Sequence, residues 1–327
     1  IIAGCWIIVS SFYLRGTDLL AIAFCTYISL EKVSSILWAC YCYITVEIIY
    51  RVMVDEVVVL NSQLTNHQVD LQDCTIFYQQ SKLDSSSTPI LLLHGWEIST
   101  EPYQEVLELI AQHHTIIAPD LPSFARSSYS GLIPDYVSYS KFLLSFLSAL
   151  DLQQFHLVGH SFGGGIAITL CTLVPEKVRS VILIDSTGIP TPSIPEMIPR
   201  RAIEMTAQLF LPKLRLKLVD IPLVFSYNLL FNTKNVIQGL LISLYEDISH
   251  LLPKIQAPCL LVWSEKDLTT PLSNAQEMAA IIPDSKLVVV EEGFHEWGLW
   301  YPKKFTSFIL DFICKLEQTH QDKPPQT

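Results

Sequence analysis

From about residue 56, short runs of β-branched and apolar residues alternate with longer stretches whose apolar residues recur every three or four positions. Val57–Leu60 and Thr75–Gln80 read as two antiparallel strands, and Ile90–Leu93 as a strand apolar on both faces. Tyr103–Gln112 reads as a helix with Val106, Leu107 and Ile110 on one side, followed by a strand at Thr115–Ala118 and a helix at Tyr136–Leu150. Next come strand Phe155–Val158, helix Phe162–Leu173 and strand Val178–Ile184. After an interruption the alternation resumes with strand Cys259–Trp263, helix Ser273–Ile282, strand Lys286–Val290 and a last helix from about Lys303 to Leu316. Strands separated by helices of this length build βαβ units, so the expected fold class is α/β, a mostly parallel central sheet flanked by helices.

The interruption opens with Pro190, Pro192, Pro195 and Pro199, which exclude a central strand, and continues with helical stretches at Ala202–Leu211 and Val236–Tyr245. The expected organisation is therefore an apolar segment at 1–55, a core from 56–187 and 256–318, an inserted helical cap at 188–255, and a tail at 319–327. Asp84–Thr88 and the terminal Pro-Pro-Gln-Thr read as loose polar segments.

Half of the 327 residues are apolar, and the excess sits in residues 1–54. There, uncharged runs at 1–14 and 19–30 and a third run at 33–50 carrying only Glu47 are separated by Arg15, Asp18, Glu31 and Lys32. Three readings compete for this segment: one or more membrane segments, a signal-like leader, or apolar sequence translated from upstream of the true start. A formal charge of −11, with no basic run longer than a pair, argues against nucleic acid as a partner. Eight scattered cysteines, with no C-x-x-C pair, fit buried thiols rather than a disulfide framework or a zinc site.

The chemistry concentrates in Gly159-His160-Ser161-Phe162-Gly163, a G-x-S-x-G motif that follows an apolar strand and opens a helix. A nucleophilic serine needs a sharp, strained turn that holds its oxygen above the sheet, and side chains at 159 and 163 would collide with neighbouring backbone. The helix N-terminus adds a favourable field for a developing oxyanion.

With this motif the chain resembles the α/β-hydrolase family over residues 57–317. Leu91-Leu-Leu-His94-Gly95-Trp96 is similar to the family's strand ending in His-Gly. That resemblance implies an oxyanion hole made by the backbone N–H groups of Trp96 and Phe162, with the His94 side chain structural and His160 a packing residue. Pro119-Asp-Leu-Pro-Ser-Phe-Ala-Arg-Ser127 resembles the family's P-D-x-x-G-x-G-x-S loop, with Ser123 and Ala125 in place of the usual glycines. If those positions need positive φ, the substitutions cost stability or reshape the loop.

A serine hydroxyl needs a base, and the resemblance points to His295, which follows the last strand and precedes the last helix. His67, His113, His114, His156 and His250 read as lying in loops or helix ends. The carboxylate that orients the base is expected to be Asp267, at the end of a buried strand, with Asp185 as its competitor and Glu265 exposed. The order Ser161, Asp267, His295 is the fold's own.

Relatives that open epoxides or displace halide carry aspartate at the elbow, so serine favours acyl transfer to water. The expected activity is hydrolysis of an ester or similar acyl bond in a small or lipid-like apolar substrate. Its rivals are carbon–carbon bond hydrolysis, perhydrolysis or acyl transfer on the same fold, or a non-catalytic ligand-binding receptor. No P-loop, dinucleotide fingerprint or metal motif is present, so no cofactor is implied.

Overall fold

In the computed structural model, which describes residues 63–82, 87–96, 98–190, 199–200, 228, 232–291 and 293–321, the short apolar runs become strands of one sheet. Strands β1 (Leu64–Asp70) and β2 (Thr75–Ser81) form an antiparallel pair at one edge. They are followed by β3 (Ile90–Leu93), β4 (Ile116–Pro119), β5 (Phe155–His160), β6 (Val178–Ile184), β7 (Cys259–Ser264) and β8 (Ser285–Val290). The spatial order is β1-β2-β4-β3-β5-β6-β7-β8; β2 meets β4 antiparallel, and all later pairings are parallel. The α/β class expected from the alternation is the class observed.

Helices cover both faces: α1 (Gln104–Ala111), α2 (Tyr136–Ala149), α3 (Phe162–Leu173), α4 (Thr233–Tyr245), α5 (Leu272–Ile281), the short α6 (Trp297–Trp300) and α7 (Pro302–Gln321). The period of two along each strand divides the interior. Leu91, Leu93, Leu157, Leu183, Leu261 and Trp263 join one core with Phe146, Ile166 and Met278 of α2, α3 and α5. The intervening Ile90, Leu92, Val158, Ile182, Leu260 and Val262 join a second core with Val106 and Ile110 of α1 and Ile309 and Ile313 of α7. Central strands with two buried faces must be apolar at every position, which is why they read as continuous runs. Full burial of each such side chain contributes roughly 1.5–3 kcal/mol.

β3 lies between β4 and β5, so the chain leaves β3 toward one edge and later, from β5, builds toward the other. In open parallel sheets, the crevice at the carboxyl ends of strands around such a reversal is where ligands bind. The loop after β3 and the turn after β5 both open there.

Three expectations need correction. The strand paired with β2 is Leu64–Asp70; Val57–Leu60 lies outside the described residues. β1 escapes hydropathy because it is an edge strand with mostly exposed side chains and the polar sequence LTNHQVD. His67 and His156 lie within β1 and β5, not in loops. The last helix runs to Gln321, past both the Leu316 expected for it and the start of the tail at 319, with Phe305, Ile309 and Ile313 buried at every fourth position.

The apolar runs of residues 1–54, the stretch Ala202–Leu211, and most of Asp84–Thr88 lie outside the described residues, and so does the terminal Pro-Pro-Gln-Thr. Among the described residues, no helix is long and apolar enough to cross a membrane.

Candidate active site

The turn between β5 and α3 carries Ser161 at φ 52° and ψ −117°, a conformation unfavourable to any residue with a Cβ. Its surroundings hold it there. The Ser161 N–H donates to the Ile184 carbonyl at 2.9 Å, and the Ser161 carbonyl accepts from Gly164 N–H at 2.9 Å and Thr187 N–H at 3.0 Å. The Thr187 hydroxyl donates to the same carbonyl at 3.1 Å and accepts from Tyr136 O–H at 2.7 Å. The two motif glycines are required by close approach. A Cβ on Gly159 would come within 2.6 Å of the Gly163 carbonyl oxygen, and one on Gly163 within 2.6 Å of the His94 carbonyl oxygen.

His295 arrives from the loop between β8 and α6, and Asp267 from the loop after β7. His295 Nε2 lies 2.9 Å from Ser161 Oγ, and His295 Nδ1 lies 2.7 Å from Asp267 Oδ2. Asp267 Oδ1 accepts from the N–H groups of Thr269 and Thr270, each at 2.7 Å, and Oδ2 accepts from the Thr270 hydroxyl at 2.6 Å. Every one of these partners is a donor, so the carboxylate is locked facing the imidazole. Its acceptor oxygen then requires the proton on Nδ1, which leaves Nε2 bare toward Ser161. Ser161, Asp267 and His295 are all buried.

Asp185, the competing acid, points elsewhere. Its Oδ1 accepts from Ser264 N–H at 2.7 Å, and its Oδ2 accepts from Trp297 Nε1–H at 2.7 Å. Complete burial and the neighbouring Asp267 charge push its carboxyl well above the ordinary carboxylate range.

The loop after β3 lies against the nucleophile turn: a Cβ on Gly95 would sit 3.4 Å from Ser161 Cβ. Trp96 follows Gly95, and its indole N–H donates to the Val236 carbonyl of α4 at 2.8 Å. Phe162 opens α3, where a backbone N–H has no acceptor within the helix. His94 is fully buried; its Nε2 accepts from Leu121 N–H at 2.8 Å, and its Nδ1 lies 2.7 Å from the Gly95 carbonyl. Burial lowers its pKa, and the neutral ring bolts the β3 loop to the loop after β4. Glu265 is exposed.

Sequence reasoning missed Thr269 and Thr270, although an Asp followed by two threonines at the second and third positions is the signature of a side chain bonding its own turn. It also missed Tyr103, for which no local signal exists. Among the described residues, no cluster of three or more His, Cys, Asp or Glu side chains is arranged to hold a metal ion.

A family model described as the α/β hydrolase fold matches residues 88–220. The uncharacterised hydrolase YugF of Bacillus subtilis (strain 168) is 26% identical over 258 residues, covering 73% of this chain and 94% of that one. The monoacylglycerol lipase ABHD6 of Mus musculus is 23% identical over 288 residues, 79% of this chain and 84% of that one. The crystal structure of a membrane phospholipase A, a bacterial virulence factor, aligns with a TM-score of 0.71 at 22% identity, covering 93% of this chain and 99% of that one. At that identity the likeness is one of fold.

Proposed function

The chain belongs to the α/β-hydrolase family, and within that family we propose that it is a serine hydrolase cleaving an ester or similar acyl bond through an acyl-enzyme. The reading is carried by one observation, the unbroken line from Ser161 Oγ through His295 to Asp267 at 2.9 and 2.7 Å. In this reading His295 Nε2 removes the hydroxyl proton as Ser161 Oγ attacks the acyl carbonyl. Asp267 stabilises the imidazolium that results. The negative oxygen of the tetrahedral intermediate is received by the backbone N–H groups of Trp96 and Phe162. Collapse expels the alcohol with the proton from His295, and water then repeats the sequence to release the acid. A positioned base contributes typically 10²–10⁴-fold, and each oxyanion donor roughly 10²–10³-fold.

Serine at position 161 favours this course over displacement by a carboxylate. The substrate class we propose is a small or lipid-like apolar ester, covered by a cap drawn from residues 188–255. The Trp96 contact with Val236 supports that placement of the cap, because it ties α4 to the loop beside Ser161. The names of the mouse monoacylglycerol lipase and the phospholipase A are consistent with a lipid-derived ester.

The test is labelling with a fluorophosphonate probe, followed by a series of p-nitrophenyl esters of increasing acyl length. Wild type is expected to label and Ser161→Ala to stay unlabelled, with turnover rising toward one chain length. An unlabelled wild type, or equal labelling of the alanine variant, would sink the assignment.

A further inference from the structure

His160 takes no part in the proton transfers just described, yet both of its ring nitrogens are engaged beside them. It is buried, and its ring centroid lies 5.4 Å from that of His295. His160 Nε2 lies 3.2 Å from the His295 carbonyl oxygen, and His160 Nδ1 lies 2.5 Å from the Tyr103 hydroxyl. The Tyr103 oxygen in turn accepts from Gly95 N–H at 3.3 Å.

The proton positions along this line follow from its ends. A carbonyl only accepts, so His160 Nε2 must carry the proton and donate to His295. Nδ1 of the neutral ring then accepts, which makes Tyr103 O–H the donor. Tyr103 uses its remaining acceptor capacity on Gly95 N–H. That N–H is thereby turned toward Tyr103, away from an oxyanion, while Trp96 is left as the donor from this loop.

We infer that His160 is a positioning residue, a neutral strut running from the β3 loop through Tyr103 to the backbone of His295. It holds the proposed base and the proposed oxyanion donor of Trp96 at one fixed spacing. The inference rests on the acyl-transfer reading of the site. The strut joins residues 95, 103, 160 and 295, which no single element of the fold brings together. Desolvation by burial, with the adjacent His295, lowers the His160 pKa to about 4, so the tautomer the strut requires persists throughout the neutral range.

Three substitutions separate the two ends. His160→Gln keeps an amide N–H near the Nε2 position, His160→Asn keeps only an acceptor near Nδ1, and His160→Phe keeps neither. The readouts are the rate of fluorophosphonate acylation, kcat and KM on the best p-nitrophenyl ester, and the pH profile of acylation. Loss of positioning by the order of 1 Å costs roughly 10²-fold. The Asn and Phe variants are therefore expected to lose about that much in kcat and acylation rate with KM nearly unchanged, and Gln to recover most of it. The acidic limb of the pH profile should keep its midpoint in all three, because the strut carries no charge.

Folded Asn and Phe variants that acylate at the wild-type rate would overturn the strut, as would a Gln variant as slow as Phe or a displaced acidic limb. A wild type that does not label overturns instead the acyl-transfer reading beneath it. Where His160→Phe fails to fold, the contrast between Gln and Asn carries the test.

Discussion

Two buried aspartates stand near His295, and the groups around each differ in a way that a single hydroxyl proton makes plain. Ser264 Oγ lies 2.9 Å from the Phe294 carbonyl and 3.1 Å from Asp185 Oδ2. It has one proton, and the carbonyl can only accept. When that proton goes to Phe294, Asp185 meets Ser264 as a donor, which requires a protonated carboxyl. The upward shift of Asp185, driven by burial and by the Asp267 charge, agrees with this arrangement. An amide at 185 cannot accept from both Ser264 N–H and Trp297 N–H. Asp185→Asn is thus expected to destabilise by about 1–3 kcal/mol in urea melts while Ser161 labels at nearly the wild-type rate. Asp267→Asn, by contrast, should cost kcat about 10⁴-fold, since the amide stabilises the wrong imidazole tautomer. The opposite pair of results would move the orienting role to Asp185. Ser161 and His295 were legible because a strand-turn-helix context and a place in the chain mark them. Asp267 is preferred to Asp185 from its place after a buried strand, but the donors that the fold delivers to the Asp185 oxygens from residues 264 and 297 have no signal in the sequence. Tyr103 left no trace at all, since its contacts lie 8 and 57 residues away.

The loop after β4 departs from the family pattern at two positions, and both take the backbone conformation that glycine would favour. Ser123 has φ 66° and Ala125 φ 47°, each costing a residue with a Cβ about 1–2 kcal/mol. The two are not equivalent. Ser123 Oγ donates to the Tyr129 carbonyl at 3.0 Å and accepts from Asn235 Nδ2–H of α4 at 3.0 Å. Ala125 has no polar side-chain atom, and its backbone N–H donates to Asn228 Oδ1 at 2.7 Å, a bond glycine preserves. Urea midpoints at constant m should therefore place Ser123→Gly about 1 kcal/mol below wild type, because two hydrogen bonds offset the relieved strain. Ala125→Gly should stand level with wild type or up to about 1 kcal/mol above it. A more stable Ser123→Gly would mean the hydroxyl contributes nothing. The two glycine positions could be located from the motif, but the bond that compensates one of them runs to residue 235, beyond any local pattern. The same limit hid β1: an exposed edge strand is defined by its partner, β2, more than by its own residues.

At the scale of the whole molecule, buried and half-buried histidines contribute to the response to acid. Burial lowers the pKa values of His94, His114, His156 and His160, with His156 and His160 down to about 4. At His156 and His160 the unfolded chain binds protons from about pH 6.5 downward while the folded chain does not until about pH 4, so their contribution to stability falls as pH drops from 6.5 toward 4. Asp185 and Glu246, the latter raised to about 7 by burial, act in the other direction. A single variant isolates one term. The stability of wild type relative to His160→Gln should decline on acidification between pH 6.5 and 4, by a slope approaching 1.4 kcal/mol per pH unit. Parallel pH profiles for the two proteins would show that His160 titrates normally.

The strained turn at Ser161 also has a consequence for the life of the chain during synthesis. Its glycines, the β5 strand and the α3 helix are all complete once Leu173 has been added, but His295 lies 134 positions downstream of the serine. A nascent chain on the ribosome therefore carries the turn long before it carries the base. Until the loop after β8 emerges and folds back, the hydroxyl has no group to take its proton. Under the acyl-transfer reading, growing chains and chains ended before residue 295 are alike chemically silent, and reactivity arrives only once the loop after β8 has been made.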